Sequence, residues 1–201
     1  EVGLVFLEGQ TVSHTYTSVG TYTVKVVAYS GGAATTQVTR QITIVDPLLL
    51  PITFESPTIN YAFSNFDGGN ATVVANPQAN GINTSAKVGK MVKGAPEVWA
   101  GSFIDLVNPI NFTVLRTFKV KVYSPRIGAK LLLKVENPTN GGRFYEKEAT
   151  TTVANAWEEL TFDYTAMPAG FYARVVLIFD LGTAGDGSPN FTYYFDDIRL
   201  N

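Results

Sequence analysis

The last strand of the chain reads Tyr193-Tyr194-Phe195-Asp196-Asp197-Ile198-Arg199-Leu200. Its aromatic and branched residues are typical of a β-strand, and two adjacent carboxylates interrupt them. Because successive side chains of a strand alternate faces, one of these carboxylates points towards the packed side of the sheet. A buried carboxylate needs a cation or a set of hydrogen-bond donors, since an unpaired buried charge is costly. The sequence therefore predicts a site that neutralises an acid at this strand.

A second acid-bearing stretch, Thr53-Phe54-Glu55, lies near the start of what reads as the same domain. We expect the two ends to meet and to share a hard cation, Ca²⁺, with Glu55 and Asp196 as its metal ligands. Calcium takes about six to eight oxygen ligands, so backbone carbonyls and residues around Asn83 would complete the set. Two alternatives are that Asp197 replaces Asp196, or that backbone N–H groups or an arginine cap both acids.

The composition narrows the possible functions. Hydrophobic residues make up 45% of the 201 residues and charged residues 16%, which is enough apolar material for a core. The net charge of −2 gives no global field that would attract nucleic acid or an anionic membrane. The absence of cysteine excludes disulfide bonds, thiolate catalysis and sulfur-ligated zinc. No run of the sequence is long and apolar enough for a membrane-spanning segment. The chain opens in mid-pattern, so we expect it to be part of a larger multidomain protein.

Short β-branched and aromatic runs alternate with turn residues along the whole chain. Gly, Pro, Asn and Thr recur about every eight to twelve residues, and no 3.6-residue apolar period is sustained. This pattern predicts an all-β protein. In the second part of the chain it predicts nine strands, which suit a β-sandwich of jelly-roll type. The predicted strands cover residues 52–55, 71–75, 86–90, 99–106, 117–123, 130–136, 158–164, 174–180 and 193–200.

Residues 1–46 form a first unit, with strands expected from Val12, over 20–28 and over 38–45. Its stretches His14-Thr15-Tyr16 and Gly20-Thr21-Tyr22-Thr23-Val24 resemble the second half of a polycystic-kidney-disease (PKD) repeat. That family is a small immunoglobulin-like sandwich used as a spacer in secreted bacterial proteins. The Trp-Asp-Phe-Gly-Asp-Gly-like first half of the repeat is absent, so the resemblance implies a partial sandwich, in which His14 is structural. Residues 47–51 are a proline-stiffened linker.

Residues 52–201 resemble the jelly-roll carbohydrate-binding modules, through Phe54-Glu55 at the start and the last strand at the end. A closer likeness is to a module of polysaccharide-utilisation proteins of marine Bacteroidota. The stretches that carry it include Gly81-Ile82-Asn83-Thr84-Ser85-Ala86-Lys87-Val88, Trp99-Ala100-Gly101, Lys119-Val120-Lys121-Val122-Tyr123 and Trp157-Glu158-Glu159-Leu160. The resemblance implies a non-catalytic, secreted or cell-surface module that captures a polysaccharide, with a β-glucan such as laminarin as the first choice. It also implies a structural calcium held by the early Glu and the late Asp.

Alternation along the strands sorts side chains into an inner and an outer set. Several strands then present an aromatic ring, lysines and an acid outward, a combination that suits sugar rings and their hydroxyls. Trp99 is the expected stacking platform. The complete set of predicted carbohydrate-binding residues is Trp99, Lys121, Tyr123, Lys134, Glu136 and Asp180.

Other interpretations fit the same residues. Trp99 could pack in the core, and the lysines with Glu136 could form ordinary cross-strand ion pairs. Outward lysines would also suit an acidic polymer such as alginate. A glycosidase would need two carboxylates across a cleft, for which Glu136 and Asp180 are the possible pair, but no catalytic motif of jelly-roll glucanases or lyases is present. A structural or adhesive tail without a glycan ligand is the remaining alternative. Trp157, where a strand begins, is expected to be a packing residue.

Overall fold

The computed structural model describes residues 5–201, with Ala34 by its backbone alone. The chain divides into two compact units, one through Asp46 and one from Pro47 to Asn201. In the first unit, β1 (Gly20–Ser30) and β2 (Ala33–Ile44) form an antiparallel two-stranded sheet. Gly31 and Gly32, with φ of 60° and 82°, make the tight turn between them. The strand expected from Val12 is not formed, since residues 12–19 lie outside any strand.

The two-stranded sheet has one apolar and one polar side. Tyr22 pairs with Ile42 and Val26 with Val38, so these side chains share a side. On the other side the hydroxyls of Thr21 and Thr43 hydrogen-bond at 3.2 Å. His14 contacts the edge of Tyr16 with ring centroids 4.6 Å apart, and Tyr16 in turn packs on Tyr22 at 4.5 Å. His14 is exposed and makes this one ring contact, in keeping with the structural role that the resemblance implies.

The second unit is a sandwich of two antiparallel five-stranded sheets, the all-β jelly-roll architecture that the pattern predicts. Sheet I has the strand order β10-β7-β12-β5-β4, and sheet II has the order β3-β6-β11-β8-β9. The strands are β3 (Ser64–Phe66), β4 (Gly69–Ala75), β5 (Lys87–Lys93), β6 (Gly101–Asp105), β7 (Thr117–Tyr123), β8 (Lys130–Asn137), β9 (Asn140–Thr150), β10 (Trp157–Asp163), β11 (Arg174–Phe179) and β12 (Thr192–Leu200).

A three-residue 3-10 helix, Pro189–Phe191, precedes the last strand. Across residues 5–201 the chain contains no helix with the length and apolar character needed to cross a membrane.

The core lies between the two sheets and is built by strand alternation. Alternation predicts ten inward side chains within β7, β8, β6 and β11, and all ten are buried. They are Phe118, Val120, Val122, Leu131, Leu133, Val135, Ile104, Val175, Leu177 and Phe179. The same alternation extended past β11 predicts that Leu181 also points inward, which is wrong. Leu181 follows Asp180, whose φ is positive, and packs with the outward side chains of sheet II. Leu48 of the predicted linker is buried in this core, and its carbonyl accepts the N–H of Val107 at 3.0 Å.

Three stretches differ from the predicted strands. The 52–55 strand is reduced to one bridge, between Ile52 and Ile198, because Phe54 adopts a φ of 59°. The short strand β3 was not predicted from the sequence. The eleven-residue strand β9 was not predicted either, since Gly141-Gly142 and its many charges favour a loop. The omission of β9 has consequences for the candidate site.

Candidate functional site

The predicted carbohydrate-binding residues lie on opposite surfaces of the sandwich. Lys121 and Tyr123 point outward from β7, which belongs to sheet I. Lys134 and Glu136 point outward from β8, which belongs to sheet II. Because the two sheets pack against each other through their inner sides, one ligand cannot contact both pairs. The outward surfaces are called face I, for sheet I, and face II, for sheet II.

Face I carries a network in which each charge already has a partner. Lys119 donates to Glu159 at 2.7 Å, and Arg199 binds both Glu159 and Asp197. Lys121 lies 3.4 Å from the Asp197 carboxylate. Burial acts to raise the pKa of Glu159, but the hydrogen bonds from Lys119 and Arg199 outweigh it and hold that pKa below its usual range. These side chains bind one another across the sheet.

A loop covers part of face I. Trp157 is buried, and its Nε1 donates to the Gln78 carbonyl at 2.7 Å. Tyr123 packs against the edges of Trp157 and Tyr194, with ring centroids 5.7 and 6.1 Å apart. Trp157 is therefore the packing residue that the sequence predicts. Tyr123 belongs to an aromatic row that stabilises this surface.

Face II has an apolar floor. Leu132, Val176 and Ile178 point outward from β8 and β11 but are buried, and Phe66 and Phe103 pack around them. Phe103 has two close neighbours: Phe66 is stacked on it with centroids 6.5 Å apart, and the Arg174 guanidinium lies 3.8 Å from its centroid. The floor is sunken because these larger neighbours stand beside it.

Ion pairs surround the floor. Arg174 binds Asp105 through two nitrogens, at 2.7 and 3.0 Å, and reaches Glu136 at 3.3 Å. Lys134 binds the same Glu136 at 2.7 Å, and Lys130 lies 3.4 Å from Glu148. The three outward cations of β8 and β11 are thus all bound to carboxylates. From the sequence, ion pairing was the alternative to sugar binding for Lys134 and Glu136, and these ion pairs are present. They still leave carboxylate oxygens and N–H groups at the surface.

Trp99 lies in a turn two residues before β6, beyond the Gly101 end of that strand of sheet II. Its side chain is 48% exposed, so it does not pack in the core. Its Nε1 donates to Asp67 Oδ2 at 2.9 Å. Asp67 occupies the β3–β4 turn with a φ of 53°, and Gly68 follows it with a φ of 100°. A Cβ at position 68 would lie 2.3 Å from the Ala95 carbonyl oxygen, so only glycine fits there. A tightly packed turn therefore holds an exposed indole in one orientation.

Phe144 is a second exposed ring on face II, and it was not predicted from the sequence. It lies opposite Glu136 in the β8–β9 register, is 44% exposed, and has the Lys134 ammonium 4.8 Å from its centroid. The signal that could have found it is the alternation of Phe144, Glu146 and Glu148 with Tyr145, Lys147 and Ala149. The many charged residues of β9 obscured that alternation.

Asp180 lies away from face II, at one end of the sandwich. Its φ of 50° turns its carboxylate to Arg126, which also donates to Tyr193 Oη at 3.0 Å. Beside it, the buried Lys93 ammonium donates to the carbonyls of Val98, Phe179 and Asp180 at 2.7, 2.8 and 2.9 Å. Burial, followed by the charge of Arg126, lowers the pKa of Lys93 to about 8. The geometry makes Asp180 part of a structural tie.

The predicted metal ligands have different environments. Asp196 is fully buried; its Oδ1 accepts the Asp197 N–H at 2.7 Å, and its Oδ2 has no hydrogen-bond partner within residues 5–201. Burial raises the pKa of Asp196, although the nearby Ser85 and Asn83 side chains and the Asp197 N–H oppose that change. Glu55 is exposed and accepts the Lys87 N–H at 2.8 Å. Asp197 is paired with Arg199 and Lys121.

An unpartnered buried carboxylate oxygen beside a hydroxyl and an amide is a donor set that fits a hard cation. In the described part of the chain, no three acidic or histidine side chains group into a metal cluster. A cation at Asp196 would therefore depend on neutral oxygens, from Ser85, Asn83 and backbone carbonyls. The Nδ2 of fully buried Asn83 likewise finds no partner among the described residues, while its Oδ1 accepts the Ser85 N–H at 3.2 Å.

Comparisons with known proteins support the fold. The chain matches no protein-family model and no curated protein. Among solved structures it is similar to a carbohydrate-binding module of the β-sandwich superfamily with promiscuous specificity, with a TM-score of 0.51 and 15% identity. That match covers 94% of this chain and 76% of the module.

Two further solved structures are similar. One is the family 11 carbohydrate-binding module of a cellulosomal cellulase of Clostridium thermocellum, with a TM-score of 0.50, 10% identity, and coverage of 78% of this chain and 95% of the module. The other is an exo-β-agarase, with a TM-score of 0.54, 12% identity, and coverage of 78% of this chain and 25% of the agarase. The second unit thus has the β-sandwich fold of carbohydrate-binding modules, a fold that also occurs within enzyme chains.

Proposed function

We propose that this chain is a non-catalytic polysaccharide-binding module and that face II holds the glycan. The observation that carries the proposal is Trp99, an exposed indole held by Asp67 just before β6, the strand whose Phe103 packs against the buried apolar floor. A fixed ring loses little side-chain entropy when a ligand binds, so it is suited to recognition. The apolar C–H surface of a pyranose ring would stack on it.

The ion pairs of face II supply the polar part of sugar recognition. Glu136 and Asp105 accept hydrogen bonds, and the nitrogens of Arg174 and Lys134 donate them. Each group is already held by its salt-bridge partner. Sugar hydroxyls can both donate and accept, so they match such a mixed surface without an excess of either charge.

The same pairing favours a neutral glycan over an acidic one. The cations of β8 and β11 that face outward, Lys130, Lys134 and Arg174, are all bound to carboxylates. A carboxylated polymer such as alginate would have to break these pairs or approach the carboxylates that hold them. We therefore keep a β-glucan such as laminarin as the proposed ligand and place alginate second.

The arrangement supports binding without catalysis. Arg174 lies opposite Glu136 in the strand register, and Asp180 lies six residues beyond Arg174. Glu136 and Asp180 are therefore about 20 Å apart along the strand direction. Glycosidase carboxylates lie about 5 to 10 Å apart. Asp105 and Glu136 both bind Arg174, which gives them a positioning and binding role.

Affinity electrophoresis tests the proposal. The chain is run through gels that contain laminarin, alginate, xylan or no polysaccharide, beside Trp99→Ala and a matched control, Phe171→Ala. Phe171 is 48% exposed, the same fraction as Trp99, and it lies in the 164–173 segment outside any strand. We expect laminarin to retard the chain and the Phe171 variant, and the Trp99 variant to migrate freely. Equal migration of all three proteins in every gel would replace the proposal with a structural or adhesive tail.

We also propose that Ca²⁺ binds at Asp196 as a structural ion, with Glu55 as the second predicted ligand. The support is the unpartnered Oδ2 of Asp196 and the side chains of Ser85 and Asn83 beside it. A bound cation would neutralise the buried carboxylate and fasten the 76–86 loop to the last strand. Thermal unfolding in Ca²⁺ and in a chelator tests this, and identical melting curves would remove the ion from the proposal.

The context of the module is part of the same proposal. A first unit of PKD type would act as a spacer that carries the module on a secreted or cell-surface protein of a Bacteroidota bacterium. Glycan capture requires access to extracellular polysaccharide, which gives this location its physical reason. Fractionation of the source cells tests the location, since recovery of the protein in the cytoplasm alone would contradict it.

A further inference from the structure

Two exposed rings, Trp99 and Phe144, lie at opposite ends of sheet II, which are called its corners. In the strand registers, Phe144 lies opposite Glu136, Glu136 opposite Arg174, and Arg174 opposite Asp105. Phe144 and Asp105 therefore end one row across four strands, and Trp99 lies in a turn before the other end of β6. With strands about 4.8 Å apart and about 3.3 Å of rise per residue over Gly101–Asp105, Phe144 and the Gly101 end of β6 are separated by on the order of 20 Å.

The ring between these corners already has two partners. Phe66 is stacked with Phe103 at 6.5 Å between centroids, and the Arg174 guanidinium lies 3.8 Å from the Phe103 centroid. Phe103 is therefore less available to a sugar than the two corner rings are. In the described part of the chain, Trp99 has no aromatic or cationic partner at its ring, and Phe144 has one cation, Lys134. Each of the corner rings thus keeps a face that a pyranose could cover.

The path between the corners is suited to an extended chain. The buried floor of Leu132, Val176 and Ile178 lies along it, and the bound pairs of Glu136 with Lys134 and with Arg174 lie beside it. Sheet II ends at β9 on one side and at β3 on the other, with no further strand of the sheet beyond either. A surface that is open at both ends accepts the interior of a polymer as readily as its terminus.

We infer that Phe144 is a second stacking residue and that the glycan crosses face II from Trp99 to Phe144. The module would then recognise an interior stretch of several sugars in a long neutral glucan. The inference rests on the proposed function and deepens it. A module with Trp99 as its sole stacking residue would reach its full affinity with a short oligosaccharide. The simpler interpretation of Phe144 is that it only covers the Lys134 side chain, as isolated exposed apolar residues often do.

Calorimetric titration with laminari-oligosaccharides of increasing length, and with laminarin, separates these interpretations. The wild-type chain should gain affinity with each added sugar until both rings are reached. Phe144→Ala should bind laminarin about tenfold more weakly, and should match the wild type for the shortest ligands. Phe144→Tyr keeps the ring and should restore the affinity, whereas Phe144→Leu keeps apolar cover for Lys134 without a ring and should not.

The outcomes distinguish the inference from the function on which it rests. If Trp99→Ala abolishes binding while Phe144→Ala binds every length as the wild type does, the inference is wrong and the proposed function stands. A wild-type affinity that is already maximal for a disaccharide also overturns it. A wild-type chain that binds no laminarin overturns the proposed laminarin function and the inference together. Melting temperatures of all variants identify any that fail to fold.

Discussion

Face I and face II are built from the same kinds of residue, yet their arrangement differs. Each carries a tryptophan, lysines and acids. On face I, Trp157 is buried and donates its N–H to a loop carbonyl, and five charges of β7, β10 and β12 pair with one another. On face II, Trp99 is half-exposed and donates to a surface carboxylate, and the ion pairs surround an apolar floor. The same residue types stabilise the sandwich on one side and remain available to a ligand on the other.

The two tryptophans offer the sharpest way to break this comparison. Trp157→Ala should lower the free energy of unfolding by about 3–5 kcal/mol, because it leaves a cavity and a carbonyl without its donor. The folded fraction should still bind glycan with wild-type affinity. Trp99→Ala should do the reverse, with near-normal stability and lost binding. Denaturant unfolding and titration of the same preparations check both, and a Trp157 variant that is stable but cannot bind would reverse the roles of the faces.

The next largest expected effect is the change in stability when the buried Asp196 is replaced, and the sign of that change depends on whether calcium is bound. Because burial raises its folded-state pKa above the unfolded value of about 3.9, the metal-free folded protein holds the proton more tightly than the unfolded chain does. Its contribution to stability is therefore fully present below about pH 3.9 and is lost as the pH rises through the folded pKa.

Asp196→Asn resembles the protonated form, so in chelator at neutral pH it should be at least as stable as the wild type. In Ca²⁺ it should be less stable, since the ion loses a ligand. Melting temperatures of both proteins in the two buffers, from acid to neutral pH, measure the change of sign. A variant that is destabilised equally with and without calcium would show that Asp196 acts through hydrogen bonds alone.

A matched pair of lysines tests whether the faces differ in binding. Lys134 and Lys121 each contact a carboxylate, on face II and face I respectively. Lys134→Ala should weaken glycan binding a few-fold, because it removes a donor and frees Glu136 and Phe144 to move. Lys121→Ala should leave affinity unchanged. Because a neutral ligand has no charge to screen, added salt should change the wild-type affinity little, whereas a steep salt dependence would favour an acidic glycan.

The smallest expected effect concerns the orientation of Trp99. Asp67→Ala removes the acceptor of the indole N–H and should lower affinity only a few-fold, through the added cost of ordering the ring on binding. Asp67→Asn keeps an acceptor oxygen for the indole N–H and should retain most of the wild-type affinity. Tryptophan fluorescence anisotropy should fall in the alanine variant. An unchanged anisotropy together with unchanged affinity would show that packing alone holds the indole.

The sequence predicted much of the fold and part of the site. Alternation identified the inward residues of β6, β7, β8 and β11, because side-chain direction in a strand depends only on local backbone geometry. It also indicated that Lys134 and Glu136 point outward, and both lie on face II, whereas Trp99 lies in a turn before β6. Phe144 was missed because the charges around it obscured the strand, and Asp180 was misplaced because its positive φ ends the alternation.

What the sequence by itself determined is the all-β class, the two sides of most strands and the residue types available for recognition. Only the tertiary structure decided which strands share a sheet. Strands β7 and β8 are neighbours in the chain but belong to different sheets, so Lys121 and Lys134 face opposite directions. The physical reason is that alternation is a property of each strand, whereas sheet membership follows from backbone pairing between strands far apart in the chain.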